Sequence, residues 1–214
     1  MTRRGNGGTR VAADGGTRQK IITAGTVLFA ERGSAASSMR ELAERAGVAL
    51  SASYYHFPGK RDVLLAIMTE AMENLERGAL EVIARDLTPI ERLPALMRAH
   101  VRVHLGEPDL ARVADGELRA LDPEARTEIV AIRDRYEAHF RTVLVEGIED
   151  GSFSPDLDVP VTAMALITMG TATVEWWRPE GRLSIDETAS MLSRMAVTVA
   201  VHGYGVPPSV PDSA

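Results

Sequence analysis

Between Ile21 and Gly203 the apolar residues recur at helical spacing, and no strand-period run of any length interrupts them. Start and stop signals divide the pattern. Ile21, Ile22, Gly25, Leu28 and Phe29 share one face, and Gly33 stands where a helix would end. Ser38 with Glu41, and Ser184 with Glu187, have the spacing of capping boxes. Thr88-Pro89-Ile90-Glu91 combines a cap, a proline in the first turn and an acid at the third position. Asp122-Pro123-Glu124 opens a run of some 27 residues that ends near Gly151. A chain with these signals is all-α, with about nine helices. The uncharged stretch Val159 to Val174 has 16 residues, short of the roughly 20 a bilayer span needs, so it reads as a buried core helix and no membrane partner is expected.

Charge divides the chain unevenly. The net charge is −6, yet residues 1–61 carry ten Lys/Arg against four acids, +6, and residues 62–214 carry 14 against 26, −12. A basic head on an acidic body suits a protein whose one end meets phosphates. Cysteine is absent, which excludes disulfides and thiolate metal sites and suits a reducing cytoplasm. The first residues are rich in Arg, Gly and Thr and not apolar, so no leader segment is expected. Residues 1–16 hold five glycines and read as a disordered basic tail, and 204–214 as a flexible C-terminal tail. Between them, 17–63 is expected to be a three-helix head and 64–203 a helical body.

The head contains the most specific pattern. A helix begun by Ser38 runs into Ala46-Gly47-Val48, where the chain must turn sharply, and a short helix at about 50–55 follows. That second helix is poor in large apolar residues: Leu50, Ser51, Ala52, Ser53, Tyr54, Tyr55 and His56 are mostly small or hydrogen-bonding. A helix that enters the major groove needs small side chains for close approach and polar tips for base edges. Pro58-Gly59-Lys60 then opens a long fourth helix, which presents backbone N–H groups and an ammonium to a phosphate.

From Thr17 to Leu65 the chain resembles the TetR-family DNA-binding domain. The resemblance is carried by Leu28-Phe29-Ala30-Glu31-Arg32-Gly33, Met39-Arg40-Glu41-Leu42-Ala43, Ala46-Gly47-Val48 and Tyr54-Tyr55-His56-Phe57-Pro58-Gly59-Lys60. It implies a helix-turn-helix, operator DNA as partner, a homodimer, and release from DNA by a small-molecule effector. By position it implies phosphate contacts for Tyr54, His56 and Lys60, capping and phosphate contact for Ser38, and base or backbone contact for Arg40. Leu50, Ser51, Ala52 and Tyr55 would face the groove. Ser51 stands where the family often has Gly, and Ser53 where it often has Leu or Ile. Phe57 is expected in the core.

The body is less explicit. His100 and His104 lie one turn apart, a spacing that can hold zinc, but no third ligand is near in sequence and no metal or other cofactor is expected. There is no nucleophile elbow, phosphate loop or cysteine nucleophile, so no catalytic residues are expected and the chain reads as a non-enzyme. The stretches around His100, around Arg133 to Glu137, and from Glu175 to Ser184 resemble the family's actinobacterial regulators of lipid and steroid catabolism, whose effectors are often acyl-CoA thioesters. That resemblance implies a deformable apolar pocket lined by Met97, His100, His104, Arg133, Tyr136, Met164, Thr168, Met169 and Trp176. Arg98, Arg102, Arg133 and Arg178 are candidate phosphate cations at its mouth. Ala165, Gly170, Thr171 and Ala172, with Ala189, Met191, Met195 and Val199, are expected to form a four-helix dimer bundle. Two other readings remain open: a helical DNA-binding protein without effector, and a metal-dependent helical enzyme.

Overall fold

The computed structural model describes residues 8–204, and among them the secondary structure is helical throughout. The α-helices are α1 (Gly8–Arg32), α2 (Met39–Ala46), α3 (Leu50–His56), α4 (Lys60–Ile83), α5 (Pro89–Gly106), α6 (Pro108–Gly116), α7 (Pro123–Glu149), α8 (Val159–Thr171), α9 (Thr173–Trp176) and α10 (Ile185–His202); one 3-10 turn, Leu118–Ala120, separates α6 from α7. The start signals act as expected. Glu41 accepts the N–H of Ser38 at 2.9 Å and its hydroxyl at 2.7 Å. Glu91 does the same for Thr88 at 3.1 and 2.7 Å, and Glu187 for Ser184 at 2.9 and 2.7 Å. Each pair satisfies N-terminal groups that the helix itself leaves unpaired.

Two expectations about the tails change. Helix α1 begins at Gly8, ahead of the expected start at Thr17; Arg10-Val11-Ala12-Ala13 are good helix formers, and a helix already nucleated at Ile21 extends backward cheaply. Residues 1–7 of the expected tail lie outside the described residues, as do 205–214. Tyr204 is anchored: its hydroxyl lies 2.6 Å from Thr162 Oγ1 and donates to the carbonyl of Asp158 at 3.2 Å.

The contacts divide the chain into two compact units. The first takes the chain up to Ala71 together with Asp109–Ile129. Its core is Ile21, Ile22, Leu28, Phe29, Leu42, Phe57, Val63, Leu64 and Ile67, all nearly inaccessible. Gly25 lets α1 close on its neighbours, since a Cβ there would lie 2.9 Å from Val63 and 3.1 Å from Ile67. The sequence assigns Asp109–Ile129 to the body, yet these residues group with the head; Glu117 is bonded to Ser34 there. The second unit takes Met72–Pro108 and Val130 onward. Within it α10 lies along α5, and α8 and α9 pack on α5 as well. Leu93, Leu96, Met97, Val101, Phe140, Leu144 and Ala196 fill its core.

Glycine substitutions test this packing. At Gly147 in α7 a Cβ would fall on the buried ring of Phe153, and at Gly78 in α4 it would only touch Val103 at 3.6 Å. Alanine gains about 1 kcal/mol over glycine in a helix interior, whereas overpacking a core costs roughly 1–3 kcal/mol. Urea unfolding is therefore expected to show Gly147→Ala destabilised by about 1–2 kcal/mol and Gly78→Ala stabilised by up to ~1 kcal/mol.

Candidate nucleic-acid interface and ligand site

The corner between α2 and α3 is made by Gly47, whose φ of 65° is a left-handed conformation that suits glycine, and whose N–H closes on Ala43 and Glu44 carbonyls. Helix α3 then presents Leu50, Ser51, Tyr54 and Tyr55 to solvent, with Tyr55 76% exposed. Ala52 and His56 are half-buried, and the rings of Tyr55 and His56 meet edge to face at 5.2 Å. The inward side is held by Ser53, at 0% exposure, and Phe57. Ser53 solves its own burial: its hydroxyl donates to the carbonyl of Leu50 at 2.7 Å. The bond satisfies the hydroxyl, though it does not replace the packing that a larger apolar side chain would supply there. Arg18 lies over the Phe57 ring at 5.3 Å, which covers the same anchor from α1.

Around α3 stand Ser38 and Arg40, both exposed, and Lys60, half-buried. Lys60 is not a free ammonium. Its Nζ donates to the carbonyls of Ala35 at 3.0 Å and Ser37 at 2.8 Å, and so ties the start of α4 to the loop before α2. Arg45 and Arg32 are committed to Glu31 and Glu41, each at 2.6 Å. Ser38 is committed to its cap.

In the second unit His100, His104 and Tyr136 form a buried polar cluster at 1%, 3% and 5% exposure. His100 Nδ1 lies 2.8 Å from the Tyr136 hydroxyl, and its Nε2 lies 3.1 Å from the Ile167 carbonyl and 3.3 Å from Thr171 Oγ1. The carbonyl can only accept, so Nε2 carries the proton and Tyr136 donates to Nδ1: a neutral imidazole with both nitrogens used. His104 Nδ1 donates to the His100 carbonyl at 2.9 Å, and the two rings lie 4.2 Å apart. Burial, with His104 beside it, holds the His100 pKa well below its usual value; burial and the Glu76 carboxylate push that of Tyr136 up. Gly170 is required here, because a Cβ would strike the His100 ring.

Residues 21–67 match the family model of the bacterial regulatory proteins of the tetR family, and residues 86–200 match the tetracyclin repressor-like C-terminal domain. The second match alone spans more than half of the chain. This chain belongs to the TetR family. Its relatives include the HTH-type transcriptional repressor KstR2 of Rhodococcus jostii, 27% identical over 175 residues, which cover 81% of this chain and 86% of the relative. The fatty acid metabolism regulator protein of Bacillus subtilis is 30% identical over 158 residues, 74% of this chain and 81% of the relative. Among solved structures, AibR in complex with isovaleryl coenzyme A and operator DNA is similar with a TM-score of 0.77 and 26% identity, over 84% of this chain and 97% of that one.

As in the sequence reading, this TetR-family chain brings Met97, His100, His104 and Tyr136 together, with Met169 half-buried in α8. It does not bring Met164, Thr168 or Trp176 to them. Met164 is 58% and Trp176 53% exposed, and Thr168 is exposed too. Helix α8 buries Thr162, Ala163, Leu166 and Gly170, so positions 161, 164, 165 and 168 fall on its other side. Arg133 is half-buried. Of the other candidate cations, Arg102 is paired with Asp186 at 2.8 Å, Arg98 donates to Ser193 Oγ at 3.3 Å, and Arg178 donates to the carbonyl of Trp177 at 2.7 Å. Of the residues expected at a dimer bundle, Gly170 and Ala189 are core within this chain, whereas Ala165 and Met195 are exposed; Val161, Met164 and Thr168 on α8 are exposed as well. Two residues missed in the sequence extend the cluster, Glu76 and His139, joined at 2.8 Å. Only the spacing of Tyr136 and His139 on one face of α7 hinted at them. Among the described residues, no three His, Cys, Asp or Glu side chains group as a metal would need, and no helix is long and apolar enough to cross a membrane.

The buried imidazole sets a pH dependence. His100 has a folded pKa below its ordinary 6.5, so between those values only the unfolded chain takes up the proton. Stability is complete above about pH 6.5 and falls as the pH drops, by at most ~1.4 kcal/mol per pH unit for this one group. Urea unfolding at pH 7.5 and 5.5 is expected to show a steeper loss for the wild type than for His100→Gln, which has no proton to gain.

Proposed function

We propose that this TetR-family protein is a transcriptional repressor in the cytoplasm that binds operator DNA as a homodimer and leaves it when an acyl-CoA thioester binds the second unit. The DNA reading rests on one observation above the others: α3 buries only Ser53 in the core, with Phe57 just after it, and leaves Leu50, Ser51, Tyr54 and Tyr55 outward. A helix so exposed has its use outside the monomer. Tyr55, Ser51, Leu50 and Ala52 face the groove, and Arg40 reaches a base edge or the backbone. Tyr54, His56 and Lys60 meet phosphates, while Ser38, both of its donors held by Glu41, serves as the cap of α2; an ammonium has three donors, and Lys60 uses two on carbonyls. A dimer is supported by the outward apolar face of α8, with Val161 and Met164 both more than half exposed.

The effector class is supported by the likeness to AibR, whose structure holds isovaleryl coenzyme A, and by relatives named for ketosteroid and fatty acid regulation. Within the chain, Met97 supplies a deformable apolar wall beside the His100–Tyr136 pair, whose phenolic oxygen keeps a lone pair that can accept from a hydroxyl on the acyl part. Arg98, Arg102 and Arg178 would exchange their partners within the chain for CoA phosphates.

Two measurements test this reading. DNA selected from a random library by the full chain is expected to be pseudo-palindromic. Lys60→Ala should weaken binding to all sequences and lower the salt slope by about one unit, whereas Tyr55→Ala should change the selected bases. An unchanged affinity and slope for Lys60→Ala would remove its phosphate role. Isovaleryl-CoA and a set of longer acyl-CoAs should then be titrated into the DNA complex beside the free acids. Release by a thioester and not by its acid is the expected result; no release across the set leaves a DNA-binding protein with a different effector or none.

A further inference from the structure

The segment Asp109–Ile129 belongs by its contacts to the first unit, but in sequence it follows α5 and runs into the first turns of α7, the helices that carry His100 and Tyr136 in the second. Anything that shifts α5 or α7 pulls on one end of this segment. Of the three points where the chain passes from one unit to the other, two are the ends of this segment and the third lies within α4. The segment's grip on the head includes Glu117, which stands between α6 and the 3-10 turn, its N–H donating to the Val113 carbonyl at 3.1 Å. Its carboxylate accepts twice from one residue: the Ser34 N–H at 2.9 Å on Oε1 and the Ser34 hydroxyl at 2.8 Å on Oε2. Ser34 is buried, and hydrogen bonds to an ionised acceptor are about twice as strong as neutral ones.

Ser34 lies in a loop with little freedom of its own. Gly33 ends α1 with φ +83° and its N–H on the Phe29 carbonyl at 2.8 Å. Ser37 turns back on Gly33 at 2.9 Å, and Lys60 holds the carbonyls of Ala35 and Ser37. The next residue, Ser38, caps α2. The loop before the helix-turn-helix is thus fixed by Lys60 from α4 and by Glu117 from the inserted segment. We propose that the Glu117–Ser34 contact is the latch through which the effector-binding unit sets the head, and that Glu117 is a positioning residue for DNA binding. While it is closed, α2 starts where α3 meets the groove. A pull on the inserted segment opens it, and the freed carboxylate is readily hydrated, which makes the step reversible. This inference rests on the reading of α2 and α3 as the DNA-facing elements.

The test needs no effector. DNA selected by the wild-type full chain is titrated with four variants, and amide exchange across residues 33–46 is followed by mass spectrometry. Glu117→Ala should bind about tenfold more weakly, within the usual range of coupling between sites. Glu117→Gln keeps an acceptor for the Ser34 N–H and a side-chain partner for its hydroxyl, and should recover to within about threefold of wild type. Ser34→Ala should lose less than Glu117→Ala, and the double variant should be no worse than Glu117→Ala alone. Exchange at residues 34–38 should rise in Glu117→Ala while the core of α1 stays protected. The proposal is overturned if Glu117→Ala binds as wild type, or if the two losses add. Should Glu117→Ala not fold, Ser34→Ala and Glu117→Gln decide: faster exchange at 34–38 in Ser34→Ala, with Glu117→Gln close to wild type, supports the latch, and unchanged exchange in Ser34→Ala overturns it. If the wild type selects no DNA, the DNA reading fails, and the latch then stands or falls on the exchange at 34–38.

Discussion

A seven-residue helix cannot hold itself. Isolated helices shorter than about 12–15 residues are marginal in water, and α3 has seven residues with most of its large side chains pointing outward. Everything else in the head supplies the stability that α3 lacks. The Gly47 corner sets its direction, Ser53 and Phe57 attach its inner side, and α1 closes over them. The bound on this arrangement is severe, because each large side chain given to the core is one fewer for the outward face. Ser53 shows the compromise: it occupies a buried position with a small side chain and keeps its hydroxyl satisfied within the same helix turn.

The same constraint explains which parts of the chain could be read in advance. Helix starts were legible because capping is local: Ser38 with Glu41 and Ser184 with Glu187 act over three residues, and sequence records such distances directly. The outward face of α3 was legible because its composition departs so far from that of a core helix. Helix α8 was not. It is apolar around its whole circumference, so the period could not say which side faces inward, and Met164 and Thr168 were placed on the wrong one. Lys60 was recognised as a cation, but its two partners are backbone carbonyls, and no residue identity announces a carbonyl. Ser34 and Glu117 stand 83 positions apart, and nothing periodic links them.

The buried cluster of the second unit is a different kind of commitment. An apolar core of the same volume would be as stable, since hydrogen bonds inside a protein mostly replace those to water. What the His100–Tyr136–Ile167 arrangement adds is uniqueness: each ring nitrogen of His100 has one partner type it can accept, and Gly170 leaves the ring one place to lie.

The loop between α1 and α2 is held through main-chain atoms. Lys60 grips the carbonyls of Ala35 and Ser37, and Glu117 grips the N–H of Ser34 as well as its hydroxyl. Backbone partners are indifferent to side-chain identity, so Ala35 and Ala36, both exposed, are free to drift among homologues. Length is another matter. One residue inserted or deleted between Gly33 and Ser38 would put both grips out of register at once. Evolution in this stretch should therefore proceed by substitution and almost never by a change in residue count.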